Sequence, residues 1–136
     1  PWDSDHNLKR LPEMPEFLHA KSSRTEMLEP GMTVYLRPVG NGAFPAGSDT
    51  PVKLDQIESA MTICAVEADA DRAVPWTKPA DLPFDPANPR AGLGNLRLGG
   101  FAAVMGDGMT QVIGDDVDDA ALASMFTLDP DDNHAP

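Results

Sequence analysis

The sequence predicts a single α+β domain built on an antiparallel sheet of short strands, and three observations carry this. A chain of 136 residues is long enough for one core and buries roughly two-thirds of the surface that its unfolded form exposes. Short runs that alternate, or are continuously apolar and β-branched, occur at 32–39, 61–68 and 101–113, the pattern of strands and not of long helices. Fourteen prolines and eleven glycines exceed the usual combined share of about 12%, so much of the chain is loop and turn.

The N-terminal stretch PWDSDHN opens with an Asp-Ser-Asp cluster suited to capping a short helix over Asp5 to Leu11, which Pro12 and Pro15 end. Residues 17–31 read as irregular, with Pro30-Gly31 a turn. MTVYLRPV (32–39) is a strand, and GNGAFPAGSDTP (40–51) is a long surface loop. VKLDQIES has the length of one or two helical turns. MTICAVEA (61–68) is the central strand. Residues 69–95 contain prolines at 75, 79, 83, 86 and 89, which exclude one continuous helix or a sheet interior. An excursion of that length is functional or packed by its own side chains, and Trp76 and Phe84 are its expected anchors. FAAVM and MTQVI flank Gly106-Asp107-Gly108, a strong hairpin signal because glycine accepts positive φ and aspartate tolerates it. DDVDDAALASMF then spaces its apolar residues as a helix, with acids at its start where the helix dipole favours them. The expected division is one domain over 1–126 and an acidic tail over 127–136.

Charge limits the partners. The net charge is −12, and residues 107–136 hold eight aspartates and no lysine or arginine. Such a surface repels phosphate backbones and anionic membrane surfaces, so nucleic acid is not an expected partner. The single cysteine, Cys64, excludes an internal disulfide or a cysteine-based zinc cluster and reads as a small buried hydrophobe.

Candidate chemistry is sparse. His6, His19 and His134 lack the close spacing of metal ligands. The cluster Asp115, Asp116, Asp118 and Asp119, with Asp107 nearby, offers the hard oxygens that calcium takes, but not the order of an EF-hand loop. The other reading gives Asp107 to the turn and Asp115–Asp119 to capping the last helix. None of Ser22, Ser23, Ser48, Ser59 and Ser124 sits in a nucleophile elbow, and Gly92, Gly94, Gly99 and Gly100 fit neither a phosphate loop nor a dinucleotide fingerprint. The expectation is a protein without catalytic residues or cofactor.

At AVPWTKPADLPFDP followed by LGGFAAVMGDG, the chain resembles a planctomycete family of domains of unknown function that are similar to type II secretion pseudopilins. PWDSDHNLKRLPEMP, PGMTVYLRPVGNGAF and MTICAVEA match further pieces of that pattern, so the resemblance spans the chain. The family's signature is a histidine, nine residues, then Asp-Gly. Here Arg97 stands at the histidine position before Asp107-Gly108, and no role of that histidine passes to it. IESAMT (57–62) and HAKS (19–22) likewise replace polar family stretches.

The resemblance implies a pseudopilin-like head, an antiparallel sheet with long Pro/Gly-rich loops whose N-terminal hydrophobic helix is absent from this chain. It also implies an extracytoplasmic setting, with membrane association only through that helix. The resulting expectation is a structural subunit of a surface or secretion-related assembly, with protein subunits as partners. Trp76, Thr77, Lys78 and Phe84 form its interaction loop, while Gly99, Gly100, Asp107 and Gly108 serve as structural turns. Two alternatives stand beside it: an extracytoplasmic module that binds a sugar or peptide around Trp76 and Phe84, and a domain stabilised by calcium at Asp115–Asp119.

Overall fold

The computed structural model describes residues 1–47, 51–53, 57 and 61–128. The expectations for VKLDQIES, for the far end of the 40–51 loop and for the tail from 129 lie wholly or largely outside these residues. Among them the chain runs α1 (Asp5–Leu8), β1 (Met32–Thr33), β2 (Tyr35–Gly40), β3 (Ile63–Glu67), β4 (Val74–Pro75), β5 (Asp81–Phe84), β6 (Gly100–Met105), β7 (Thr110–Gly114) and α2 (Asp119–Phe126). This is a small α+β domain. β1 and β4 form an antiparallel pair, and the larger sheet has the order β5-β2-β3-β6-β7.

The larger sheet is mixed, which corrects the antiparallel expectation. β5 pairs parallel to β2, with Arg37 opposite Asp81 and Gly40 opposite Phe84. Its Pro83 points to a loop on sequence alone, yet a residue without an N–H is tolerated on an edge strand, and β5 is that edge. The long path from β2 to β5 gives the chain the crossover that a parallel neighbour requires. On the other side, β2 meets β3 only at Tyr35–Glu67 and Leu36–Val66; Pro38, which has no N–H to give, comes soon after.

α1 is also shorter than the expected Asp5 to Leu11. Ser4 caps it by accepting from the Asn7 N–H at 3.3 Å, and a separate 3-10 turn, Leu11–Glu13, takes Pro12 into its first positions, where a missing N–H leaves no bond unmade. The 69–95 excursion is clasped at its ends. Asp69 N–H donates to Gly92 O at 2.7 Å, Asn95 N–H to Asp69 Oδ1 at 2.8 Å, and Ala70 N–H to Asn95 Oδ1 at 3.2 Å.

The hairpin forms as its sequence suggests. Met105 N–H donates to Met109 O and Gly108 N–H to Met105 O, Gly108 has φ 82°, and Asp107 Oδ1 accepts from Met109 N–H at 2.9 Å. This is a three-residue loop with glycine in the left-handed position. At the other end of β6, a Cβ on Gly100 would lie 2.0 Å from Ile113 O, so the strand crossing there requires glycine. The core lies on one face of the sheet and includes Leu36, Val66, Phe101, Met105, Ile113, Leu122 and Phe126. Leu122 and Phe126 are the buried side of α2.

Candidate functional site

The opposite face of the sheet is only partly covered. β-strands alternate their side chains between two faces, and here a bulge decides which residues face outward. Ile63 lies opposite Met105 and Ala65 opposite Val104, so Cys64 and Ala65 together face one residue of β6. The extra residue puts Ala65 and Glu67 outward and Val66 inward. Tyr35, Glu67, Ala102 and Val112 consequently form one row, and Ala65, Val104 and Thr110 form the next. Val112 is 58% exposed and Phe17, which overhangs the Tyr35 end, is 76% exposed. The result is a shallow apolar groove of about 340 Å³, lined by Phe17, Leu18, Tyr35, Ala65, Glu67, Ala102, Val104 and Thr110 among others.

One end of the groove is built around a buried charge. Glu67 has a 1% exposed side chain, and Arg97, 27% exposed, meets it with two parallel bonds, Nε to Oε1 at 3.2 Å and Nη2 to Oε2 at 3.1 Å. A second bond from Arg97 Nη2 reaches Lys21 O at 3.3 Å. The fork geometry is what lets an arginine neutralise a carboxylate away from water. Nothing in the sequence pattern pairs these two residues. The only signal is a lone acid ending an apolar strand, and its partner is thirty positions away.

Tyr35 completes that end, its Oη donating to His19 O at 3.4 Å. Burial first, and the Glu67 carboxylate second, push its phenol above the usual 10.0, against a smaller opposing effect of Arg97. The chain has one tyrosine, so phenolate absorbance reports this residue alone. Its titration is expected to lie above pH 10 in the folded protein and to return to the ordinary value in denaturant. Because the native state favours the neutral phenol, this contribution to stability is complete below pH 10 and is lost as pH rises through the folded value. An ordinary folded-state titration would contradict the burial of Tyr35 beside Glu67.

The residues singled out in the sequence fall in different places. Trp76 is half-buried and its backbone N–H donates to Gly31 O at 3.0 Å, while Lys78 Nζ lies 5.0 Å from the centre of the Trp2 ring. Phe84 belongs to the core, 4.7 Å from Phe126 between ring centres. Trp76, Thr77, Lys78 and Phe84 therefore do not share one surface. Asp118 caps α2 by accepting from Ala120 N–H and Ala121 N–H at 3.1 and 3.0 Å. Arg90 lies 3.2 Å from Asp119 and 4.0 Å from Asp115. Among the described residues, no three His, Cys, Asp or Glu side chains converge as a metal site needs.

The carboxylate in the groove, Glu67, is engaged by Arg97. The Ser124 hydroxyl, on α2, donates to Ala121 O at 2.6 Å. Cys64, at the bulge, has its thiol pushed up by burial, away from the thiolate that reactive cysteines need. No helix of the described residues is long and apolar enough to cross a membrane. No protein-family model, curated protein or solved structure matches the chain.

Proposed function

We propose that this protein is a non-enzymatic subunit of an extracytoplasmic assembly and that the outer face of its larger sheet seats a neighbouring protein subunit. The observation that carries the reading is the groove itself: exposed Phe17 and Val104 line it with half-buried Ala65 and Ala102, and exposed Val112 stands next to Ala102 in the same row. Apolar side chains left exposed together on one face of a sheet are the kind of surface that a protein partner covers. The extracytoplasmic setting rests on the pseudopilin-like resemblance. The contact is proposed on the sheet and not on the proline-rich loop because Phe84 is spent on the core.

Ala102→Arg tests this. The side chain is half-buried in the middle of the groove, so a long cation there blocks a partner while the arginine still reaches solvent. In sedimentation velocity on protein isolated from its source, the wild type is expected in a species larger than a monomer and the variant as a folded monomer. A variant that remains in the larger species overturns the assignment of this face.

A further inference from the structure

The groove is bordered on one side by β7, and that edge differs from the other edge of the sheet. β5 carries Pro83, with Pro79 and Pro86 beyond its two ends, one of the ways in which edge strands are protected from pairing. β7 reads Thr-Gln-Val-Ile-Gly, with no proline and no charge. Its pairing with β6 fixes which backbone groups are free. Met105 N–H bonds Met109 O, and Asp115 N–H bonds Gly99 O, so the odd-numbered residues of β7 turn their polar groups toward β6 in the alternation of an antiparallel ladder. Those of Thr110 and Val112 point out of the sheet and find no partner among the described residues. At the end of the strand, Gly114 O is taken by Val117 N–H and Arg90.

Charge decides what fits there. Asp107 stands at the hairpin end of β7. At the other end Asp116 lies so close over Gly114 that a Cβ on that glycine would be 2.2 Å from Asp116 Oδ1. A second copy pairing antiparallel about Val112 would bring Asp116 of one molecule beside the Asp107 turn of the other, with like charges at both ends, which is unfavourable. An extended segment with lysine or arginine at each end would meet a carboxylate at each end instead. We propose that β7 accepts such a segment as a sixth strand: alternating apolar residues contributed by a basic stretch of the partner, bonded to the Thr110 and Val112 backbone, its apolar side chains extending the groove beside Val112 and Val104. This is strand addition at an open edge, and it rests on the subunit reading above.

The probe is an acetylated, amidated peptide, Lys-Thr-Val-Thr-Val-Thr-Lys, compared with the same peptide flanked by glutamates. Binding of the basic peptide is expected to slow hydrogen exchange of the Val112 amide. The glutamate-flanked peptide is expected to bind at least about tenfold more weakly, with the difference shrinking in high salt. Val112→Pro removes an N–H that faces away from β6 and abolishes binding; Val112→Thr, which keeps it, binds within about threefold of wild type. Asp107→Asn with Asp116→Asn leaves the backbone intact and erases the preference for lysine. Equal binding of the two peptides, no protection of Val112, or a self-paired dimer that Val112→Pro breaks overturns the proposal. Ala102→Arg, measured in the source assembly beside Val112→Pro, separates the two readings. Loss in Ala102→Arg alone overturns strand addition and leaves the groove as the contact, whereas loss in neither overturns both.

Discussion

Replacing Arg97 with leucine is expected to destabilise the fold by about 3–5 kcal/mol, because it leaves a carboxylate buried without its partner. Glu67 is 1% exposed, and Arg97 is the cation that meets it. The pair as such is worth much less than this figure suggests, since taking both charges out of water offsets most of their attraction. The double variant Glu67→Leu with Arg97→Leu is therefore expected to recover most of the loss and to lie closer to the wild type than Arg97→Leu alone. Urea denaturation of the three proteins measures this. If Arg97→Leu costs less than about 1 kcal/mol, as an exposed ion pair would, the buried pair does not organise the end of the groove.

Phe126→Ala is expected to be of similar size, about 3–5 kcal/mol. Phe126 is 1% exposed and its ring meets Phe84 at 4.7 Å and 32°, a tilted contact that adds to the area it buries. The two rings join the last turn of α2 to the parallel edge strand β5. The variant should therefore loosen both, so β5 amides are expected to exchange faster than those of β6 and β7 in the same protein. A uniform acceleration across the sheet would mean that Phe126 supports the whole core and not this junction.

How much of the fold the sequence discloses depends on how local the cause is. The β6–β7 hairpin is legible because Asp107-Gly108 and the flanking alternation lie within a dozen residues, and α2 because Asp118 stands immediately before the helix that it caps. β5 is not, since Pro79, Pro83 and Pro86 make a loop of it unless one knows that it forms an edge. Phe84 looks like the anchor of a loop surface for the same reason; only the register that sets it opposite Gly40 places it against Phe126. The groove depends on the Cys64–Ala65 bulge, which inverts the side-chain order of β3 and which no local pattern in MTICAVEA announces. The Glu67–Arg97 pair joins two segments whose meeting is a property of the fold. In the sequence Arg97 is visible only as a difference from the signature of a family that the chain resembles, without a role.

The most direct test of the central claim, that this protein is held by a neighbouring protein subunit, is native mass spectrometry of the protein isolated from its source, with and without chelator. The expected result is a complex with another protein whose mass is unchanged by chelator. A monomer, alone or carrying a small molecule or calcium, would contradict it.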